Sequence, residues 1–220
     1  PDICLKVAHL VKDPDEKLAW SGEACNRSRD SAVCVALLLD SDMLTTTDGT
    51  KALRAGCVGT TRHTCTLLGV AFENGQAVSQ HLRRAAVYYR LACDGGHAHA
   101  CSALGQLYDA GRGVSRDLPR AAVLFDTSCS RGFVPGCTHL AVAYLHGRGV
   151  NRFPEEARAL FTRACTESHG PACLALGDLL HAGIGGPVDR TRAVDHWKQA
   201  CALDIKEACT QPGVAPNSNG

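Results

Sequence analysis

Cysteine recurs along this chain with a fixed stride. One series runs Cys57, Cys93, Cys129, Cys165, Cys201 and a second runs Cys65, Cys101, Cys137, Cys173, Cys209, both advancing by 36 residues without slippage. A strict period of this length demands a stack of one repeated supersecondary unit, because such a unit buries its apolar faces only against its neighbours. The stride breaks near the start, where Cys34 to Cys57 spans 23 residues and Cys4 to Cys25 spans 21. Residues 1–62 therefore read as degenerate N-terminal helical repeats of the same stack. Residues 63–211 read as four regular 36-residue repeats plus a C-terminal cap. Residues 212–220, behind Pro212, read as a polar, disordered tail.

Aligned on the cysteines, each period contains two helical patterns. In CSALGQLYDAGRGV and CTHLAVAYLHGRGV, Cys101, Leu104, Gly105 and Tyr108 recur as Cys137, Leu140, Ala141 and Tyr144, and CLALGDLLHAGIGG follows the same frame. Spacings of three and four place these residues on one helical face. The second pattern is RAAVYYRLAC, RAAVLFDTSC, EARALFTRAC and RAVDHWKQAC. Its small residues Ala85, Ala121, Ala157 and Ala193 precede the large Tyr89, Phe125, Phe161 and Trp197 by four, so large side chains fill the space that small ones leave on a neighbouring helix. Gly111 with Gly113, and Gly147 with Gly149, supply left-handed backbone that ends the first helix. Asp117 and Asp189 stand where a carboxylate accepts the orphan amides of the second. The unit is helix, Gly-rich turn, helix, short loop. The fold class is all-α, a solenoid of such units.

The combined pattern A-C-x-x-L-G-x-x-Y-x-x-G-x-G-V, then D-x-x-x-A, then an aromatic and A-C-x-x-G, resembles the Sel-1-like repeat family. The cysteine pair with seven residues between makes it most similar to the disulfide-rich branch typified by the Helicobacter cysteine-rich proteins, from about His63 to Cys209. The resemblance implies a tetratricopeptide-like α/α solenoid, wound as a right-handed superhelix. First helices line its concave side and second helices its convex side.

Each cysteine pair joins the end of a second helix to the start of the next first helix, so its sulfurs can meet across the turn. The expected disulfides are Cys25–Cys34, Cys57–Cys65, Cys93–Cys101, Cys129–Cys137, Cys165–Cys173 and Cys201–Cys209. Reduced buried cysteines are one alternative; metal binding is another, but the C-x2-C spacings it favours do not occur. No metal and no cofactor are expected. Cys4 sits where a first helix starts, and its partner belongs about eight residues upstream. The chain thus reads as trimmed, with further repeats before Pro1, or else Cys4 is a free thiol. Thirteen cysteines in 220 residues point to an oxidising compartment. The expected location is the periplasm or outside the cell, with the mitochondrial intermembrane space as the alternative.

Catalytic signatures are missing from the sequence. The resemblance brings an enzyme hypothesis, penicillin binding with weak β-lactam hydrolysis, yet a serine β-lactamase needs S-x-x-K and no serine has that lysine. Neither G-x-S-x-G, a Walker loop, H-E-x-x-H nor C-x-x-C-H occurs. The GRGV turns follow helices, not strands, and so fail the test for a phosphate loop. His97 and His99, two residues apart, face different ways on a helix. His139, His146 and His181 read as polar surface of first helices or, equally, as part of a binding groove. Formal charge is +1, from 23 basic and 22 acidic residues without a basic tract, which argues against nucleic acid. No stretch of 18 apolar residues marks a membrane span.

Recognition is therefore the expected function: a non-catalytic scaffold binding a protein or peptide on its concave face, or, alternatively, a subunit or assembly factor of a mitochondrial respiratory complex. The positions one, five and eight after each first-helix cysteine are not consumed by the packing pattern. They are Thr66, Val70 and Glu73; Ser102, Gln106 and Asp109; Thr138, Val142 and Leu145; and Leu174, Asp178 and His181. Their mixed character suits a protein or peptide better than a polyanion.

Overall fold

The computed structural model describes residues 62–75 and 78–214. The expected pairs Cys25–Cys34 and Cys57–Cys65 depend on residues outside that range, as do the readings of Cys4, of residues 1–61 and of the last part of the tail. Among the described residues every regular element is an α-helix. They fall into two compact units. The first, ending at Arg116, holds α1 (Arg62–Asn74), α2 (Leu82–Asp94) and α3 (Ala98–Ala110). The second, from Asp117, holds α4 (Leu118–Ser130), α5 (Val134–His146), α6 (Pro154–Thr166), α7 (Gly170–Ala182), α8 (Arg190–Ala202) and α9 (Lys206–Cys209). Within each unit consecutive helices pack on one another. The odd-numbered α1 to α7 are the first helices of the repeats, α2 to α8 the second helices, and α9 the start of one more first helix.

Local chemistry sets the helix ends. Asp117 and Asp189 each accept a hydrogen bond from the backbone N–H three residues on, at 3.0 Å, and so cap α4 and α8. The first helices end on glycine: Gly111, Gly147 and Gly183 have φ of 68°, 69° and 69°, and their N–H groups return to Leu107, Ala143 and Leu179. A side chain there would strain the left-handed backbone. Two residues later the second glycine of the turn is left-handed as well, with φ of 72°, 73° and 69° at Gly113, Gly149 and Gly185, and has a further task. A Cβ on Gly113 would lie 2.5 Å from the backbone of Leu82, and on Gly149 or Gly185 it would collide with the backbone of Leu118 or Pro154. The GxG turn thus lets one repeat's loop touch the start of the preceding second helix, backbone against backbone.

All four expected pairs that lie within the described residues are disulfides: Cys93–Cys101, Cys129–Cys137, Cys165–Cys173 and Cys201–Cys209, with Cα separations of 4.7, 4.4, 4.6 and 4.8 Å. Each closes the connection from a second helix to the next first helix. In the chain-entropy account a loop of about nine residues contributes about 2.5 kcal/mol.

The apolar frame is also repeated. Leu68, Leu104, Leu140 and Leu176 on the first helices are buried, as are Ala85, Ala121, Ala157, Ala193 and the aromatics Tyr89, Phe125, Phe161 and Trp197 on the second. A Cβ added to Gly69 would overlap the Tyr89 ring, and one added to Gly177 would overlap the Trp197 ring. In the second unit, Phe161, Leu176, Leu180 and Trp197 belong to one buried cluster with the Cys165–Cys173 bridge. Tyr144 departs from the pattern: it is half-buried, and Phe153 packs edge-on against it with ring centroids 5.9 Å apart.

Candidate functional site

The twelve positions expected on the binding face divide by register. Thr66 and Ser102, one residue after the cysteine, are 2% and 1% exposed and are not surface groups. Thr138 and Leu174 at the same register are half-buried. The reason is visible at Thr66, whose Oγ1 lies 2.8 Å from Nδ1 of His97, the residue that precedes the next first helix. Thr138 and His169 repeat that contact at 3.0 Å. The first register therefore joins successive first helices, a contact 31 residues long in sequence. Burial holds the His169 imidazole below its ordinary pKa, and the neutral ring can serve as partner to the hydroxyl.

The fifth register is mixed. Gln106 and Asp178 are exposed, and Val70 and Val142 are half-buried. At the eighth register His181 is exposed, while Glu73, Asp109 and Leu145 are half-buried. His146 is exposed, as expected, but His139 is half-buried with its ring 5.0 Å from that of Phe125. His97 and His99 have ring centroids 6.2 Å apart.

Two clusters on these registers join surface to core. In the first unit Tyr89 is 1% exposed, yet its hydroxyl reaches out and donates to Glu73 Oε2 at 2.8 Å. Glu73 Oε1 in turn accepts from Nη1 of Arg112 at 3.3 Å. Burial, then the hydrogen bond to the carboxylate, push the Tyr89 hydroxyl far above its ordinary pKa, so it remains a donor. In the second unit Trp197 is 2% exposed and its indole Nε1–H donates to Asp178 Oδ1 at 2.9 Å. His181, one turn further along α7, packs over the indole with ring centroids 5.3 Å apart. Burial raises the Asp178 carboxyl pKa, and the indole N–H and His181 oppose that rise.

Neither cluster was visible in the helical pattern, which treats the aromatic position as core alone. The available signal is the residue type. Phe125 and Phe161 carry no donor, whereas Tyr89 and Trp197 do, and each of those two has a carboxylate 16 or 19 residues before it. Buried phenols and indoles usually find a partner.

The second helices show a different repetition in the second unit. Arg163 lies against both sulfurs of the Cys129–Cys137 bridge, and Gln199, one period later, donates to the Cys165 carbonyl at 3.2 Å. The basic helix starts Arg83, Arg84, Arg190 and Arg192 are exposed. Among the described residues no helix is long and apolar enough to cross a membrane, and no three His, Cys, Asp or Glu side chains converge as metal ligands would.

The model of the Sel1 repeat matches this chain four times, at residues 63–97, 98–133, 134–169 and 170–205. A search of curated proteins finds no match. Among solved structures, a protective antigen of uropathogenic Escherichia coli displaying an SLR fold superposes with a TM-score of 0.71 at 20% identity, covering 94% of this chain and 47% of that one. The chain thus spans about half the length of that antigen. A Sel1 repeat protein from Oxalobacter formigenes has a TM-score of 0.71 at 19% identity, covering 94% of this chain and 85% of that one. Cysteine-rich protein B of Helicobacter pylori is 24% identical, with a TM-score of 0.48 over 59% of this chain and 93% of its own.

Proposed function

We propose that this chain, which belongs to the Sel1 repeat family, is a non-catalytic interaction module that binds a protein or peptide on its first-helix face. Sel1 repeats are generally protein-interaction scaffolds. The observation that carries the reading is the division of labour within each repeat. Disulfides, second-helix aromatics, GxG turns and the first register absorb most of the packing, while the fifth and eighth registers keep chemically varied side chains wholly or partly at the surface: Gln106, Asp178 and His181 exposed, Val142 and Leu145 half-buried with one side against the core. Partly buried apolar groups and exposed polar ones are both residue classes that a protein interface uses. Four disulfides among the described residues support action in an oxidising compartment, the periplasm or the exterior of the cell.

The test is affinity capture from the native organism followed by mass spectrometry. The bait is the full chain or the variant carrying Gln106→Ala, Asp109→Ala, Val142→Asp and Leu145→Asp. A partner retained by the first and lost by the second supports the reading. A partner held equally by both, and lost instead when Arg158 and Lys198 on the second helices are changed to Glu, refutes it. Turnover of a chromogenic cephalosporin that is abolished by a first-helix substitution would replace it with a catalytic one.

A further inference from the structure

We propose that the Cys129–Cys137 bridge is a site of thiol–disulfide exchange, opened by a dithiol reductant, and that the Arg163 guanidinium on the following second helix makes it so. The inference is independent of what the first helices bind. In the second unit two successive bridges lie under the same position of the next second helix, 34 residues beyond their first cysteine: Arg163 over Cys129–Cys137 and Gln199 over Cys165–Cys173. Nη2 of Arg163 lies against both sulfurs and donates to the Cys129 carbonyl at 3.5 Å. At the other bridge the cover is neutral. The Gln199 amide donates to the Cys165 carbonyl at 3.2 Å, and its side-chain oxygen lies 3.3 Å from the Cys165 sulfur. His196 places Nδ1 3.6 Å from the same sulfur, and burial holds that imidazole below its ordinary pKa, so it is largely uncharged near neutral pH. All four cysteines are buried, so the bridges differ chiefly in the charge laid over them. Arg163 is exposed where Gln199 is half-buried, and a long surface side chain can swing aside to admit a small thiol.

In the exchange a thiolate of the reductant attacks one sulfur of the bridge. A new S–S bond forms to that sulfur, the Cys129–Cys137 bond breaks, and its electron pair leaves on the other cysteine as a thiolate. The reductant's second thiol, deprotonated in turn, attacks the mixed disulfide, expels the second cysteine as a thiolate and closes the reductant into its own disulfide. Two electrons pass from dithiol to bridge, and the two cysteines take up the two protons that the reductant gave up. A thiolate leaves faster as its pKa falls, and an adjacent guanidinium lowers that pKa. Because Arg163 touches both sulfurs, the cation stands beside the leaving one whichever is attacked. Burial by itself raises a thiol's pKa and slows both bridges; of the two, Cys129–Cys137 has the positive charge that offsets it. That bridge closes the turn from α4 to α5, so exchange there frees the link between those helices while the Cys165–Cys173 closure is kept.

The test is partial reduction of the full chain by dithiothreitol at neutral pH, quenched at intervals with an alkylating reagent, with each bridge followed by peptide mass spectrometry. Cys129–Cys137 should open faster than Cys165–Cys173 by about five-fold or more, while the helical circular dichroism spectrum is still unchanged. Arg163→Gln should bring the first bridge down to the rate of the second, and Gln199→Arg should speed the second. Arg163→Lys, which keeps the charge, should retain most of the advantage. In concentrated guanidinium chloride, where these contacts are lost, the advantage should largely disappear. Equal rates in the folded protein, a faster Cys165–Cys173, or no opening of Cys129–Cys137 before the helices unfold overturns the proposal. An advantage that survives Arg163→Gln also overturns it, and Arg131→Gln then shows whether the cation between the two cysteines is responsible. If Arg163→Gln fails to fold, Gln199→Arg decides: an unchanged rate at Cys165–Cys173 refutes the role of the guanidinium.

Discussion

Tyr89 and Trp197 stand at the same place in repeats three periods apart, each buried in a second helix behind a first-helix glycine, and each sends one polar atom through to a surface carboxylate. Around Tyr89 the carboxylate is Glu73, at the eighth register, and the chain supplies Arg112 to it. Around Trp197 the carboxylate is Asp178, at the fifth register, and His181 packs over the indole. The scaffold is common to the two; what differs is one turn of helix and the residue that joins the cluster. In a repeat of this kind the core therefore anchors surface chemistry without deciding what that chemistry contacts.

Removing the anchors gives the largest expected effects. Trp197→Ala and Tyr89→Ala should each cost about 3 to 5 kcal/mol in denaturant unfolding, as truncations of large buried rings do. Trp197→Phe should cost much less, and a loss as large as that of alanine would show that the indole hydrogen bond, not the ring, holds the second unit together. Next come the bridges, which have the same place in the repeat in both units. Cys93→Ala with Cys101→Ala, and Cys165→Ala with Cys173→Ala, should each lower stability by about 2.5 kcal/mol. A large inequality between the two would break the equivalence. Gly69→Ala and Gly177→Ala should each cost about 1 to 3 kcal/mol by pushing the Tyr89 or Trp197 ring aside. The surface members of the clusters should matter least. Glu73→Gln weakens a half-exposed ion pair and should change stability by less than about 1 kcal/mol.

A pH titration sharpens the account of the second unit. Burial lowers the folded pKa of His169 and of His196. In the unfolded chain these imidazoles take up protons from about pH 6.5 downward, while the folded chain resists until lower pH. The unfolded state then binds more protons, so stability should fall as pH drops below about 6.5 and level off once the folded rings protonate too. His169→Gln combined with His196→Gln should flatten that slope in thermal melts recorded across pH 5 to 7; an unchanged slope would assign the acid sensitivity to other groups.

The cysteine stride and the alternation of small and large residues made the repeated frame legible, because packing requires those residue types at those spacings. The Asp117 and Asp189 caps and the glycine helix ends were legible for the same reason. The first register was not: Thr66 and Ser102 look like spare polar positions on an isolated helix, and only the neighbouring repeat, through His97 in the case of Thr66, makes that register interior. The clusters escaped for a related reason. Whether a buried ring reaches the register five or eight residues after the cysteine depends on its length and tilt, and tyrosine and tryptophan differ in both. The second turn glycine has the left-handed backbone that the sequence implies, but the backbone of the preceding repeat that leaves no room for a side chain at Gly113 and Gly149 is not legible from one repeat alone.

The claim that first helices carry the partner surface is tested most directly by site-specific photocrosslinking in an extract of the native organism, with the photoreactive residue placed singly at Gln106, Val142, Arg158 or Lys198. The prediction is a discrete crosslinked product from Gln106 and Val142, and none from Arg158 or Lys198. A discrete product from the second-helix positions alone would contradict it.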